Sequence, residues 1–353
     1  MKSTRKQLQQ PVELTCHEHA RVLLDTAAAQ FSRLGSPDDA EALHDFRVSV
    51  RRFRTYLGAY RSHLTKALGK RSRKELGGLI SATNKGRDDE VQARWLHRQL
   101  RRKNLPKLTQ LGYTVVLEDF REAPFDANSE ELERVKQEFV GIEQKLREHL
   151  NQPVRTIRLT DAGKSLSFAA ATGAIVQSLT SELSDRLTSI ESLDQEKKLH
   201  RARLAAKRLR YVLEPVRLLV VGGRTAVTRL KGLQDLLGDL HDLQVLERRI
   251  RKKMDHNIAE WSEALIAVAT HETQLSAVNR KGGDTDAVRG LAAALQGVRR
   301  GELRLFGKFE QRWLKGNAEP FMLQAGNIAL QLLPTELLTP QSERTTARGG
   351  GAS

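Results

Sequence analysis

The sequence predicts an all-α protein, and three observations carry that expectation. Between residues 10 and 335 nearly every stretch reads as amphipathic helix, with apolar residues returning at intervals of three and four. β-Branched runs of period two are nearly absent; the best strand candidate, Thr114-Val115-Val116-Leu117, is too short to anchor a sheet. Gly and Pro fall where helices should break: Gly35-Ser36-Pro37, Gly69, Gly112, Pro124, Pro153, Gly163, Gly222-Gly223, Gly282-Gly283 and Gly316.

Taken in order, residues 1–9 are expected to be flexible and a first helix runs from about residue 10 to the Gly35 break. Ser36-Pro37-Asp38-Asp39 then supplies a cap and first-turn acids for a second helix, which is strongly basic. A third helix, a short turn near residues 84–88 and a fourth helix follow. Ser129-Glu130-Glu131 starts a bridging helix over about 129–150, closing a first half of about 10–155. The second half, about 160–335, opens with a helix near Ser165 and carries a second basic helix. It ends in helices near 256–280, 285–315 and 320–333. Residues 339–353 are rich in Gly, Ser and Thr and are expected to be flexible.

The two basic helices share one signature. His44-Asp45-Phe46-Arg47-Val48-Ser49-Val50-Arg51-Arg52-Phe53-Arg54 returns as His200-Arg201-Ala202-Arg203-Leu204-Ala205-Ala206-Lys207-Arg208-Leu209-Arg210, each matched position 156 residues further on. At about 100° per residue, positions 44, 47, 51 and 54 fall within an arc of about 80°, and so do 200, 203, 207 and 210. Apolar residues take another face: Phe46, Val50, Phe53, Leu57 and Tyr60 in one copy, Ala202, Ala206, Leu209, Leu213 and Val216 in the other. Each helix should therefore bury one stripe and turn a cationic row elsewhere. An ordinary solvated face is the plain alternative. It is disfavoured because no acid interleaves the rows after Asp45, so i,i+4 ion pairing does not explain them.

A second repeat follows each basic helix. Leu79 to Val91, containing Arg87-Asp88-Asp89-Glu90, aligns with Leu233 to Val245, containing His241-Asp242, at an offset of 154. Each half then reads as helix, basic helix, helix, short turn, helix, an up-down bundle held by short connections.

Composition narrows the partner. Lys and Arg number 59 against 43 Asp and Glu, a net charge of +16, which points to a polyanion. Aromatic content of 5% argues against a protein that stacks single-stranded bases. A single cysteine, Cys16, excludes an intramolecular disulfide and a cysteine-rich zinc site. The first ten residues lack the apolar segment of a secretory signal, and no stretch approaches the length needed to span a bilayer, so a cytoplasmic protein is expected.

Four segments in order resemble the CHAD domain family (conserved histidine α-helical domain). They are Leu43-His44 to Arg54, Arg87 to Val91, Leu199-His200 to Arg210-Tyr211, and Leu233-Gln234 through Gly238 to Asp242. Glu90 stands where the family usually shows Asp, and Asn84 where it often has Gly. The resemblance implies an all-α pair of pseudo-symmetric four-helix bundles whose basic helices face a shared central channel, in a stand-alone CHAD protein without a triphosphate-tunnel (CYTH) domain. It implies binding of inorganic polyphosphate there and association with polyphosphate granules. The binding residues it marks are His44, Arg47, Arg51, Arg52, Arg54, His200, Arg203, Lys207, Arg208, Arg210 and Tyr211. Lys70, Arg71, Arg73 and Lys74, with Arg229 and Lys231, are candidates for the channel mouth.

The ligand also suits the residues themselves. Cations at i, i+3, i+7 and i+10 make a ladder about 15 Å long, and a phosphate thread has charge but no bases to read. No cofactor, metal or catalytic constellation is expected. Cys16-His17-Glu18-His19 looks like a metal cluster, but adjacent positions do not share a helix face. Asp88, Asp89, Glu90 and Asp242 could serve a metal-dependent phosphohydrolase or phosphotransferase; a cap or an arginine partner is the simpler role. A general nucleic-acid binder is the remaining alternative, and Arg101-Arg102-Lys103 and Arg299-Arg300 are expected on outer surfaces.

Overall fold

The computed structural model describes residues 3–34, 39, 41–65, 68, 70–120, 130–155, 157, 159, 163–270 and 283–333. The side chains of residues 84–88, 90, 130, 131, 268, 269, 283 and 284 are excepted. Among the described residues there are twelve helices and no strand. They are α1 (Arg5–Gln9), α2 (Val12–Phe31), α3 (Ala42–Ala59), α4 (Lys70–Ala82), α5 (Asn84–Leu100) and α6 (Lys107–Glu118). The second six are α7 (Glu130–Asn151), α8 (Phe168–Thr188), α9 (Glu196–Leu213), α10 (Gly223–Thr270), α11 (Gly283–Trp313) and α12 (Glu319–Leu332).

Helices α2, α3, α4 and α7 pack in a closed ring, and α8, α9, α10 and α12 in another. The basic helices α3 and α9 hold corresponding places, each between the first and third helix of its ring. All ten residues of the two expected apolar stripes are buried, none more than 1% exposed. Phe46 meets Phe139 of α7 edge to face at 4.9 Å, and Phe31 closes the cluster at 4.7 Å from Phe139. Between the rings, Tyr60 stacks on Phe168 of α8 at 5.5 Å, and its hydroxyl pairs with that of Thr172 at 3.0 Å. The rings therefore share one continuous core.

Three expectations are corrected. Residues 5–9 form α1, whose start is fixed by a reciprocal cap between Thr4 and Gln7. Residues 114–117, read as too short for a strand, lie in α6 as the all-α class requires, with Val116 and Leu117 on a helical buried stripe with Tyr113. No break precedes residue 256: α10 is one helix of 48 residues. Its first part closes the second ring, and its distal part packs with α5, α6 and α11 around a separate core of Leu96, Tyr113, Leu246, Leu291 and Val298. This four-helix extension was not expected.

Gly112 is the third correction: it sits inside α6 and breaks nothing. A Cβ there would lie 2.0 Å from the Gly290 carbonyl oxygen and 2.9 Å from the Ala294 Cβ. The glycine lets α6 and α11 meet backbone to backbone. Gly112→Val should cost about 1–3 kcal/mol or more through overpacking, read as a lower midpoint in urea. Gly78→Ala, with nothing within 4 Å of the added carbon, should leave that midpoint unchanged or raise it. The Ser36–Asp38 and Ser129 caps and the 339–353 tail lie outside the described residues.

Candidate functional site

Because α3 and α9 each bury one stripe in their own ring, their remaining faces are available to meet at the seam, where the two helices are in contact. Lys207 stands at the centre. It is half-buried and feels Arg51 and Arg54 of α3 together with Arg203 and Arg210 of α9. Burial first, and then these four cations, pull its ammonium down to about 6. Helix packing alone has no use for such crowding of like charge.

Tyr211 forms a platform beneath the cluster. Its ring is 5% exposed. The guanidinium of Arg210 lies 4.7 Å from the ring centroid, that of Arg52 5.7 Å, and the Lys207 ammonium 6.0 Å. Arg52 comes from the other ring, so the platform gathers cations of both helices. Beside it is a cavity of about 260 Å³ lined by Arg52, Arg210, Tyr211, Arg217 and Lys231, with Glu214 among them.

The other expected site residues divide. Arg47 is only 4% exposed, deeper than a row residue should be. Arg54 is exposed and donates from Nε to the Arg73 carbonyl at 2.9 Å, tying α3 to α4. His44 is half-buried and His200 exposed; burial, then Arg203 and Lys207, holds the His200 imidazole below its usual range. The His200 ring lies 5.6 Å from that of His241.

Arg208 turns outward, where Glu182 of α8 accepts from it at 2.6 Å. Its counterpart Arg52 instead reaches Glu214 at the end of α9, 3.2 Å away. Matched positions thus have different fates because their acidic neighbours differ. Among the mouth candidates, Lys70, Arg71 and Lys74 are exposed, and Arg71 pairs with Glu75 at 3.2 Å. Arg73 is half-buried beside Gly58. Lys231 lines the cavity. Arg229 lies over Phe321 at 5.2 Å and Trp313 at 5.7 Å, committed to packing within the second ring.

Sequence reasoning missed Glu214, Arg217 and Tyr56, which also line the cavity. Glu214 lies four residues after Arg210, a spacing that could have flagged it. Elsewhere, Asp89 accepts from Arg249 at 2.7 Å, the arginine-partner role, while the side chains of Asp88 and Glu90 lie outside the described residues. Cys16 and His19 are buried in the core, the latter edge-on to Phe168 at 5.1 Å. Among the described residues no group of three or more His, Cys, Asp and Glu could hold a metal, and no helix is long and apolar enough to cross a membrane. Arg101, Arg102, Lys103 and Arg300 are exposed, whereas Arg299 is half-buried and pairs with Asp194 at 2.7 Å.

Known proteins share this fold. The family model for the CHAD domain matches residues 18–251, more than half the chain. The chain belongs to the CHAD domain family. A crystal structure of the CHAD domain from the plant Ricinus communis is similar with a TM-score of 0.55 at 17% identity, covering 90% of this chain and 92% of that one. PptA from Streptomyces chartreusis is similar with a TM-score of 0.59 at 16% identity, covering 87% and 100%. Those identities speak for the CHAD fold alone. No curated protein matches the sequence.

Proposed function

We propose that this CHAD protein binds inorganic polyphosphate, without turning it over, along the seam between α3 and α9, and that it associates with polyphosphate granules in the cytoplasm. The observation that carries this reading is the convergence of Arg51, Arg52, Arg54, Arg203 and Arg210 on Lys207 and Tyr211. A cluster that repels itself in the free protein gains most from a ligand carrying one negative charge on every repeating unit. CHAD domains are associated in general with polyphosphate binding. The corresponding places of α3 and α9 support reading the two halves as copies of one unit, which would present two rows to one thread.

Nucleic acid fits less well. Tyr211 is covered by its three cations and offers no face to a base. The test is a titration with long-chain polyphosphate across salt, with duplex DNA and single-stranded RNA as competitors. Polyphosphate should win at equal charge concentration, and its affinity should fall steeply as salt rises. Displacement by duplex DNA at equal charge would replace the assignment with a general polyanion binder. Phosphate release with Mg²⁺ or Mn²⁺ would replace it with an enzyme.

A further inference from the structure

Glu214 is the one acid among the cations of the Tyr211 cavity, and it is placed where a ligand oxygen should be. Its Oε2 lies 3.2 Å from Arg52 Nε of α3, and its Oε1 lies 3.6 Å from Arg210 Nη1 of α9. The carboxylate therefore spans the seam between the rings. Its side chain is 15% exposed, against 35% for Arg52 and 16% for Arg210.

The fit is incomplete. The Nε atoms of both Arg52 and Arg210 are buried without an acceptor in hydrogen-bonding geometry. A buried guanidinium N–H left unmade is costly. Glu214 thus neutralises charge without satisfying the donors. A phosphoryl group has more acceptor oxygens than a carboxylate, at tetrahedral angles, and could serve both arginines at once. Room exists for it in the adjoining cavity of about 260 Å³, where Arg217 and Lys231 add two further cations. Arg217 is itself anchored, donating from Nη1 to the Glu214 carbonyl at 2.5 Å, so the backbone at Glu214 stays in place if its side chain swings away.

We propose that the Tyr211 cavity is a phosphoryl subsite and that Glu214 is its internal occupant in the free protein, a latch that an incoming phosphate displaces. This rests on the polyphosphate reading and adds to it. Glu214 holds Arg52 and Arg210 apart from each other's charge until ligand arrives, and it sets a threshold that weakly charged or short anions do not pass. The latch discriminates by charge density: a thread with several phosphates can repay the broken ion pair, a single phosphate cannot.

The test compares the full chain with Glu214→Gln and with Glu182→Gln, which removes the same charge beside Arg208 but outside the cavity. Binding of tripolyphosphate and of long-chain polyphosphate is measured at fixed salt. Glu214→Gln should tighten tripolyphosphate binding by roughly tenfold and the long chain by the same factor or less, because the broken ion pair costs a fixed free energy whichever ligand displaces it and a long chain can also engage the rest of the seam with the latch closed. Glu182→Gln should change neither by more than about twofold. Equal tightening in both variants would reduce the effect to net charge and overturn the latch. So would unchanged or weaker binding by a folded Glu214→Gln. If that variant does not fold, Glu214→Asp serves: its shorter side chain keeps the charge but cannot reach both arginines, and tripolyphosphate binding no tighter than wild type overturns the proposal. A wild-type chain that binds no polyphosphate brings down the parent reading itself, an outcome distinct from all of these.

Discussion

Replacing Arg51, Arg54, Lys207 and Arg210 together with Gln is expected to abolish polyphosphate binding at moderate salt while leaving the helical content intact. These four side chains leave the buried stripes of α3 and α9 untouched, so the core of Phe46, Val50, Phe53, Leu209 and Leu213 stays as it is. A charge-assisted hydrogen bond is worth about 1.5 kcal/mol or more. Four of them lost together amount to roughly 6 kcal/mol, or about 10⁴-fold in affinity. The salt dependence should flatten as well, by roughly 0.7 in the log–log slope for each cation removed from a flexible polyanion. Circular dichroism and a fluorescence binding titration read both effects. Affinity unchanged in a variant of native helicity would remove the seam from consideration as the binding site.

The second large effect is proton uptake at Lys207. With its ammonium drawn down to about 6 by burial and by Arg51, Arg203, Arg210 and Arg54, the side chain is mostly neutral in the free protein at pH 7.5. A bound phosphate chain reverses the local field and raises that pKa. Binding at pH 7.5 should therefore take up a proton, and affinity should fall as pH rises above about 6. His200, also held below its usual range by burial and then by Arg203 and Lys207, gains from the same reversal of the field. Calorimetry in HEPES and Tris, whose ionisation enthalpies differ, measures the proton directly. Lys207→Arg keeps its charge at all these pH values and should bind with less pH dependence. Equal heats in the two buffers, after correction for dilution, would contradict the expectation.

The same shift fixes a sign for stability. The folded pKa of Lys207 lies below the ordinary 10.5, so the unfolded chain holds a proton that the native state has lost between about 6 and 10.5. Stability from this group therefore rises with pH across that window, and the full electrostatic penalty applies below about 6. Lys207→Met should accordingly be more stable than wild type at pH 6, with the gap narrowing toward pH 10, and it should bind polyphosphate more weakly. Opposed effects on stability and binding are what a strained functional residue produces.

Much of the fold was legible because burial in a helix is periodic. The stripes of Phe46 to Tyr60 and Ala202 to Val216 were readable, and each residue is buried as expected. Other features were not legible because one residue type serves two physical ends. Gly112 is as suited to ending a helix as to letting two helices touch, and only Gly290 on the opposite helix decides between them. The 48-residue α10 resisted reading for a related reason: its buried face passes from one core to another, so its apolar pattern shifts midway without a break in the backbone.

By itself the sequence determined the all-α class, the buried stripes, the repeated cationic signature and the likeness to CHAD domains. All of these depend on spacing along one helix or on order along the chain. The tertiary structure decided which cations act together. Arg52 and Arg208 are equivalent in the signature, yet one reaches Glu214 across the seam and the other Glu182 on the outside. Lys207 lies 156 residues from Arg51 in the chain, and its pKa is depressed because folding buries the ammonium and brings Arg51 near it. Charge interactions depend on distance through space and on exclusion of water, and neither is written in the spacing of residues along a single chain.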